Sequence, residues 1–130
     1  MKPTYITFEQ AKWLKEKGFN VPVYDFFFFN TSEKGYGFSY TKEKINHNNN
    51  SNLFYYSRPE QHQVVEWLRV NHGIWIEVHG WTNQPVNKEI WKECYQSFIN
   101  GDATNVSIFK TPQEAYSAAF DYIRNNNLIN

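Results

Sequence analysis

Apolar positions recur along the chain with two periods, and the switches between them divide it into elements. From Thr7 to Gly18 the spacing is helical: Phe8, Ala11 and Leu14 form an inward stripe, while Lys12, Lys15 and Glu16 face water. Thr7 is placed to cap this helix, Gln10 completes a capping box, and Gly18 ends it with Phe19 brought back against Leu14. The period then shortens to two. Val23 to Phe29 reads as a strand with Tyr24, Phe26 and Phe28 on one side and Val23, Phe27 and Phe29 on the other. Asn30 to Gly35 is turn-rich, and Tyr36 to Tyr40 returns as the hairpin partner with Tyr36, Phe38 and Tyr40 on one face. Residues 41–52 are polar and Asn-rich and read as a loop, with His47 exposed in it. Leu53 to Tyr56 follows as a short aromatic strand or extended arm.

The second half repeats the alternation of helix and strand. Ser57 as cap, Pro59 in the first turn and Glu60 closing a capping box predict a helix whose inward stripe is Val64, Val65 and Leu68, with Trp67 beside it and Gly73 at its end. Ile74 to His79 alternates cleanly: Ile74, Ile76 and Val78 against Trp75, Glu77 and His79. Residues 88–99 fit either period, with periodicity alone slightly favouring a helix. Asn100-Gly101-Asp102 is a turn, Val106 to Lys110 a short strand, and Thr111, Pro112 and Glu114 open a last helix with a small-residue face of Ala115, Ala118 and Ala119.

A length of 130 residues is one domain's worth, and 41% hydrophobic against 20% charged residues supports a packed core rather than disorder. The 13 Lys and Arg balance the 13 Asp and Glu, which excludes a globally basic nucleic-acid binder. No run is long enough to span a membrane as a helix. The N-terminus has no apolar h-region, and the lone Cys94 cannot form an internal disulfide, so the expected setting is a reducing cytoplasm. The 16 Asn and 10 Lys against 3 Arg match the codons of an AT-rich genome.

Three stretches carry a resemblance: ITFEQAKWLKEKGF near the start, YSRPEQHQVVEWLRVNHGIWIEV at 56–78 and FKTPQEAYSAAFDYIRNNNLI at 109–129. Together they resemble small proteins of Bacteroidetes and their phages, a group that brings no catalytic residues to carry over. The resemblance implies a compact α+β domain over residues 1–130, with an antiparallel sheet, three helices and the terminal helix packed on the sheet. It tips residues 88–99 toward strand, giving the order α-β-β-(β)-α-β-β-β-α. Its phage setting implies an accessory role, such as countering host defence. The order helix, three strands, helix over 58–125 is also that of a double-stranded-RNA-binding domain. That family grips phosphates with a basic start to its last helix, and here the position reads TPQEAY with Glu114 in place of lysine, so nucleic acid is not the expected partner.

Little in the sequence points to catalysis. The four histidines make no His-x-x-x-His pair, and no second cysteine is present for a thiolate metal site, so neither metal nor cofactor is expected. Cys94 with His79 is the one nucleophile–base pairing to weigh, and Cys94 lacks flanking active-site residues; it reads better as a small buried apolar side chain.

The unusual feature is the 19% of aromatic residues. Core stripes account for many. They account less well for Trp75, Glu77 and His79, followed by Trp81, and for Trp91 and Tyr95, which extend that face if 88–99 is the neighbouring strand. Flat rings mixed with hydrogen-bonding groups suit a nucleobase-like ligand or a protein surface. The expected function is therefore stoichiometric binding of a host protein or a nucleotide-like ligand, through Trp75, Glu77, His79, Trp81, Trp91 and Tyr95. The alternatives are a homodimer that uses this face as its interface and, further off, a small Cys/His enzyme.

Overall fold

The structure is a computed structural model that describes residues 4–30, 32, 34–49, 54–83, 92–103 and 108–129, with backbone alone at 81–83 and 92–94. It is an α+β fold in the expected order, but its strands form two three-stranded antiparallel sheets instead of one. The chain groups into two compact units, Met1–Trp67 with Ile129–Asn130, and Leu68–Leu128.

The first unit opens with α1 (Phe8–Glu16). Its start is the anticipated capping box: the Thr7 hydroxyl accepts from Gln10 N–H at 3.1 Å, and Gln10 Oε1 accepts from Thr7 N–H at 3.0 Å. Its end is equally local. Gly18 takes a φ of +87°, which places Phe19 N–H 2.9 Å from the Leu14 carbonyl and Gly18 N–H 3.2 Å from that of Lys15. The sheet is β2-β1-β3, built from β1 (Val23–Asn30), β2 (Gly35–Ile45) and β3 (Tyr55–Ser57). Phe8 of α1 joins it by ring contacts, stacking on Tyr36 at 4.3 Å and meeting Phe27 and Tyr56 edge-on at 5.5 and 5.4 Å. Such ring pairs add about 0.5–1.5 kcal/mol each beyond the area they bury.

Residues 41–45, expected in a loop, continue β2. Asp25 pairs with Tyr40 but Val23 pairs with Ile45, so residues 41–44 bulge out of the ladder between them. The Thr41 hydroxyl bridges this bulge, lying 3.3 Å from the Tyr24 carbonyl and 2.6 Å from that of Glu43. His47, expected exposed, is 2% accessible in a 3-10 turn (His47–Asn49). Its ring stacks on Phe26 at 4.6 Å, and its Nε2 lies 3.2 Å from the Val23 carbonyl, which makes that nitrogen the donor. A polar stretch thus folds inward because one aromatic side chain in it finds both a ring and an acceptor. Residues 50–52 of the expected loop lie outside the described residues.

The second helix, α2 (Gln61–His72), starts later than the Ser57 cap predicts. Ser57 is buried at the end of β3, paired with Phe26, and residues 58–60 stay extended because Glu60 bridges to Tyr5. Gln63 Oε1 then accepts from Glu60 N–H at 2.9 Å, which supplies one half of the capping box expected at Ser57 and Glu60. The helix runs across the division between the units. On the first side Trp67 is buried with its ring edge-on to Phe19 at 5.3 Å.

In the second unit β4 (Ile76–Asn83), β5 (Lys92–Ile99) and β6 (Asp102–Ala103) form the sheet β4-β5-β6. The ambiguous run is therefore strand from Lys92 onward; 88–91 lie outside the described residues. Of the expected strand at 106–110, Phe109 bridges to Tyr95, and 106–107 lie outside the described residues; Asp102, expected in the turn, begins β6. The turn itself is Asn100-Gly101, both with positive φ of 51° and 89°, the conformation of a tight hairpin. α3 (Pro112–Asn125) begins where Thr111 Oγ1 accepts from Glu114 N–H at 3.1 Å. It packs on β4 and β5 with Ala115, Ala119, Phe120 and Ile123 buried.

Candidate functional site

Strand register decides which of the expected site residues share a face. Directly opposed residues project to the same side of a sheet. Ile76 opposes Ile99 and Val78 opposes Ser97; Ile76, Ser97 and Ile99 are buried, which marks the side covered by α3. Glu77 opposes Phe98 and His79 opposes Gln96, on the outer side. Tyr95 opposes Gly80, which puts it on the covered side with Ser97 and Ile99, so it does not extend the face of Glu77 and His79 as the alternation in 88–99 implied. The error is one of register: strand periodicity fixes parity within a strand but not which parity of the neighbour it meets. Trp91 lies outside the described residues. Trp81 pairs with Cys94 in backbone register, and their side chains lie outside the description.

The remaining three form a coherent open patch. Trp75 is 56% exposed just before β4, with the Arg69 guanidinium 5.3 Å from its ring centre. Its backbone is held by Asn100, whose Oδ1 accepts from Trp75 N–H at 2.8 Å while Asn100 N–H donates to the Trp75 carbonyl at 2.8 Å. His79 Nε2 and Glu77 Oε2 are 2.9 Å apart, and the His79 ring sits edge-on to Phe98 at 4.7 Å.

A second feature, not anticipated, lies wholly in the first unit. A cavity of about 240 Å³ is lined by Tyr5, Tyr24, Asp25, Lys44, Arg58 and Glu60 among others. Backbone pairing assembles it from separate stretches. Arg58 N–H donates to the Asp25 carbonyl at 2.9 Å, Ile6 N–H to that of Pro59 at 3.3 Å, and Gln61 N–H to that of Thr4 at 2.8 Å. The bulge at 41–44 supplies Lys44, whose Nζ lies 5.4 Å from the centre of the Tyr24 ring.

Arg58 is the centre of this arrangement. Its guanidinium lies 4.0 Å from the centre of the Tyr5 ring and 4.2 Å from that of Phe38, with Phe27 further off at 5.3 Å. Its Nε is buried, with no hydrogen-bond partner among the described residues. Tyr5 has its hydroxyl pKa raised, first by burial and then by the hydrogen bond it donates to the Asp25 carboxylate. Phe38 is 63% exposed and Tyr40 74%, on the same sheet face as Phe27. The sequence signals for this site are small: Asp25 is the one charge in a strand of aromatics, and Arg58 is one of three arginines.

Among the described residues no group of three or more His, Cys, Asp or Glu side chains is arranged to hold a metal ion, and no helix is long and apolar enough to cross a membrane. Compared with protein families, curated proteins and solved structures, the chain matches none.

Proposed function

We propose that this is a stoichiometric binding protein without catalytic activity, of the accessory kind found in phages and mobile elements, and that it holds a host protein on the outer face of its second sheet. The observation that carries this reading is the exposure of Trp75 beside Glu77, His79 and Phe98, on the side of β4 and β5 away from α3. An outer sheet face is ordinarily polar. This one offers a large indole and a ring pair, with Arg69 and the Glu77–His79 pair around them. Rings with a polar rim are the composition of protein-binding hot spots, and an open sheet face is shaped for a macromolecule more than for a small ligand.

The test is affinity capture from a bacterial lysate, then a binding titration with the purified captured protein. Trp75→Ala and His79→Ala should each weaken that binding tenfold or more while the circular-dichroism spectrum stays native. Binding that ignores both substitutions would overturn the reading. So would light scattering that shows a dimer broken by Trp75→Ala, since the face would then belong to a second copy of the chain.

A further inference from the structure

We propose that the cavity beside Arg58 is a separate small-molecule site, and that its ligand is a nucleoside monophosphate with an amino-bearing base. The inference goes beyond partner binding and rests on different residues in the other unit.

Arg58 carries the argument. Its guanidinium lies close to two rings, 4.0 Å from the centre of Tyr5 and 4.2 Å from that of Phe38. What such a group has left to offer is its N–H edge, a rigid fork that matches two oxygens of a phosphate. The protein does not use this fork. No carboxylate forms an ion pair with it among the described residues, and its buried Nε has no acceptor. Lys44 brings a second cation to the same cavity.

The carboxylates define the rest of the ligand. Asp25 and Glu60 also line the cavity, so two cations are balanced by two anions. Asp25 accepts from the Tyr5 hydroxyl, and Glu60 Oε2 lies 3.0 Å from His62 Nε2; each carboxylate has a further lone pair to offer. A bare anion does not suit this lining. A molecule with phosphate at one end and N–H donors at the other does, and an adenine, guanine or cytosine nucleotide has both. The exposed Tyr24 ring offers a stacking surface for the base. At about 240 Å³ the cavity is smaller than the roughly 300–1,000 Å³ usual for small-molecule sites, so it has no room for anything larger than a monophosphate.

The test is calorimetric titration of the full chain with AMP, GMP and CMP, with adenosine, guanosine, cytidine and inorganic phosphate as controls. At least one monophosphate should bind saturably, with its nucleoside and inorganic phosphate tenfold weaker or more. Arg58→Lys keeps the charge but loses the fork, and should weaken binding at least tenfold. Lys44→Ala, in an exposed bulge, should weaken it several-fold and decides the matter if Arg58→Lys fails to fold. Trp75→Ala should leave nucleotide affinity unchanged, so this proposal and the partner reading fail separately. The proposal is overturned if no monophosphate binds at millimolar concentration, if inorganic phosphate binds as tightly, or if binding survives at the folded Arg58 and Lys44 variants.

Discussion

Gly37 faces Phe28 across the β1–β2 ladder, and a Cβ at Gly37 would fall 2.7 Å from Phe28 Cζ. The ring occupies the room a side chain would take. Gly37→Ala should therefore destabilise the first unit by about 1–3 kcal/mol, the usual cost of overpacking. Urea denaturation checks this. In the double variant with Phe28→Ala the added methyl should cost much less, because the two positions compete for one space.

The α1 capping box makes a second prediction. Thr7→Ala removes the acceptor of Gln10 N–H and should cost about 0.5–2 kcal/mol. Thr111→Ala removes the equivalent bond to Glu114 N–H at the start of α3 and should cost a similar amount. Chemical denaturation followed by far-ultraviolet circular dichroism measures both.

Burial of His47 gives the protein an acid-sensitive point. Burial holds its pKa below the usual 6.5, against the opposing pull of the Val23 and Tyr24 carbonyls and the Asp25 charge. The unfolded imidazole takes its proton near the ordinary value, and the folded one only at lower pH. Stability from this group is thus complete above about pH 6.5 and declines as the pH falls through that value toward the folded pKa. The urea midpoint should be lower at pH 5.5 than at 7.5, and His47→Gln should narrow the difference.

The tryptophans separate core from surface. Trp13 and Trp67 are buried, so Trp13→Ala should cost about 3–5 kcal/mol. Trp75 is largely exposed and touches Arg69, so Trp75→Ala should cost about 0.5–1 kcal/mol. Thermal melts of the two variants read this contrast directly.

Where structure depends on near neighbours in the chain, it could be read in advance. The Thr7 and Thr111 caps, the Gly18 stop with Phe19 folded back to Leu14, and the aromatic parity of β1 all follow from residues within a few positions of one another. Pairing between distant segments was not legible. The Tyr5–Glu60 bridge holds residues 58–60 extended and shifts the start of α2, and the opposition of Gly80 to Tyr95 turns Tyr95 away from Glu77 and His79. That Trp75, Glu77 and His79 share one parity could be read along the strand; whether their face is open or buried could not, since that depends on what packs against it. The Arg58 cavity was not legible, since it needs Thr4–Ile6, Asp25, Lys44 and Arg58–Gln61 at once.

The bulge in β2 has a consequence for life in a crowded solution. β2 is the outermost strand of its sheet, and a long outer strand rich in rings invites pairing with another chain. Lys42, Glu43 and Lys44 interrupt it with charge at the point where its ladder breaks. The same irregularity that brings an ammonium to the cavity also guards the molecule against fibrous self-assembly.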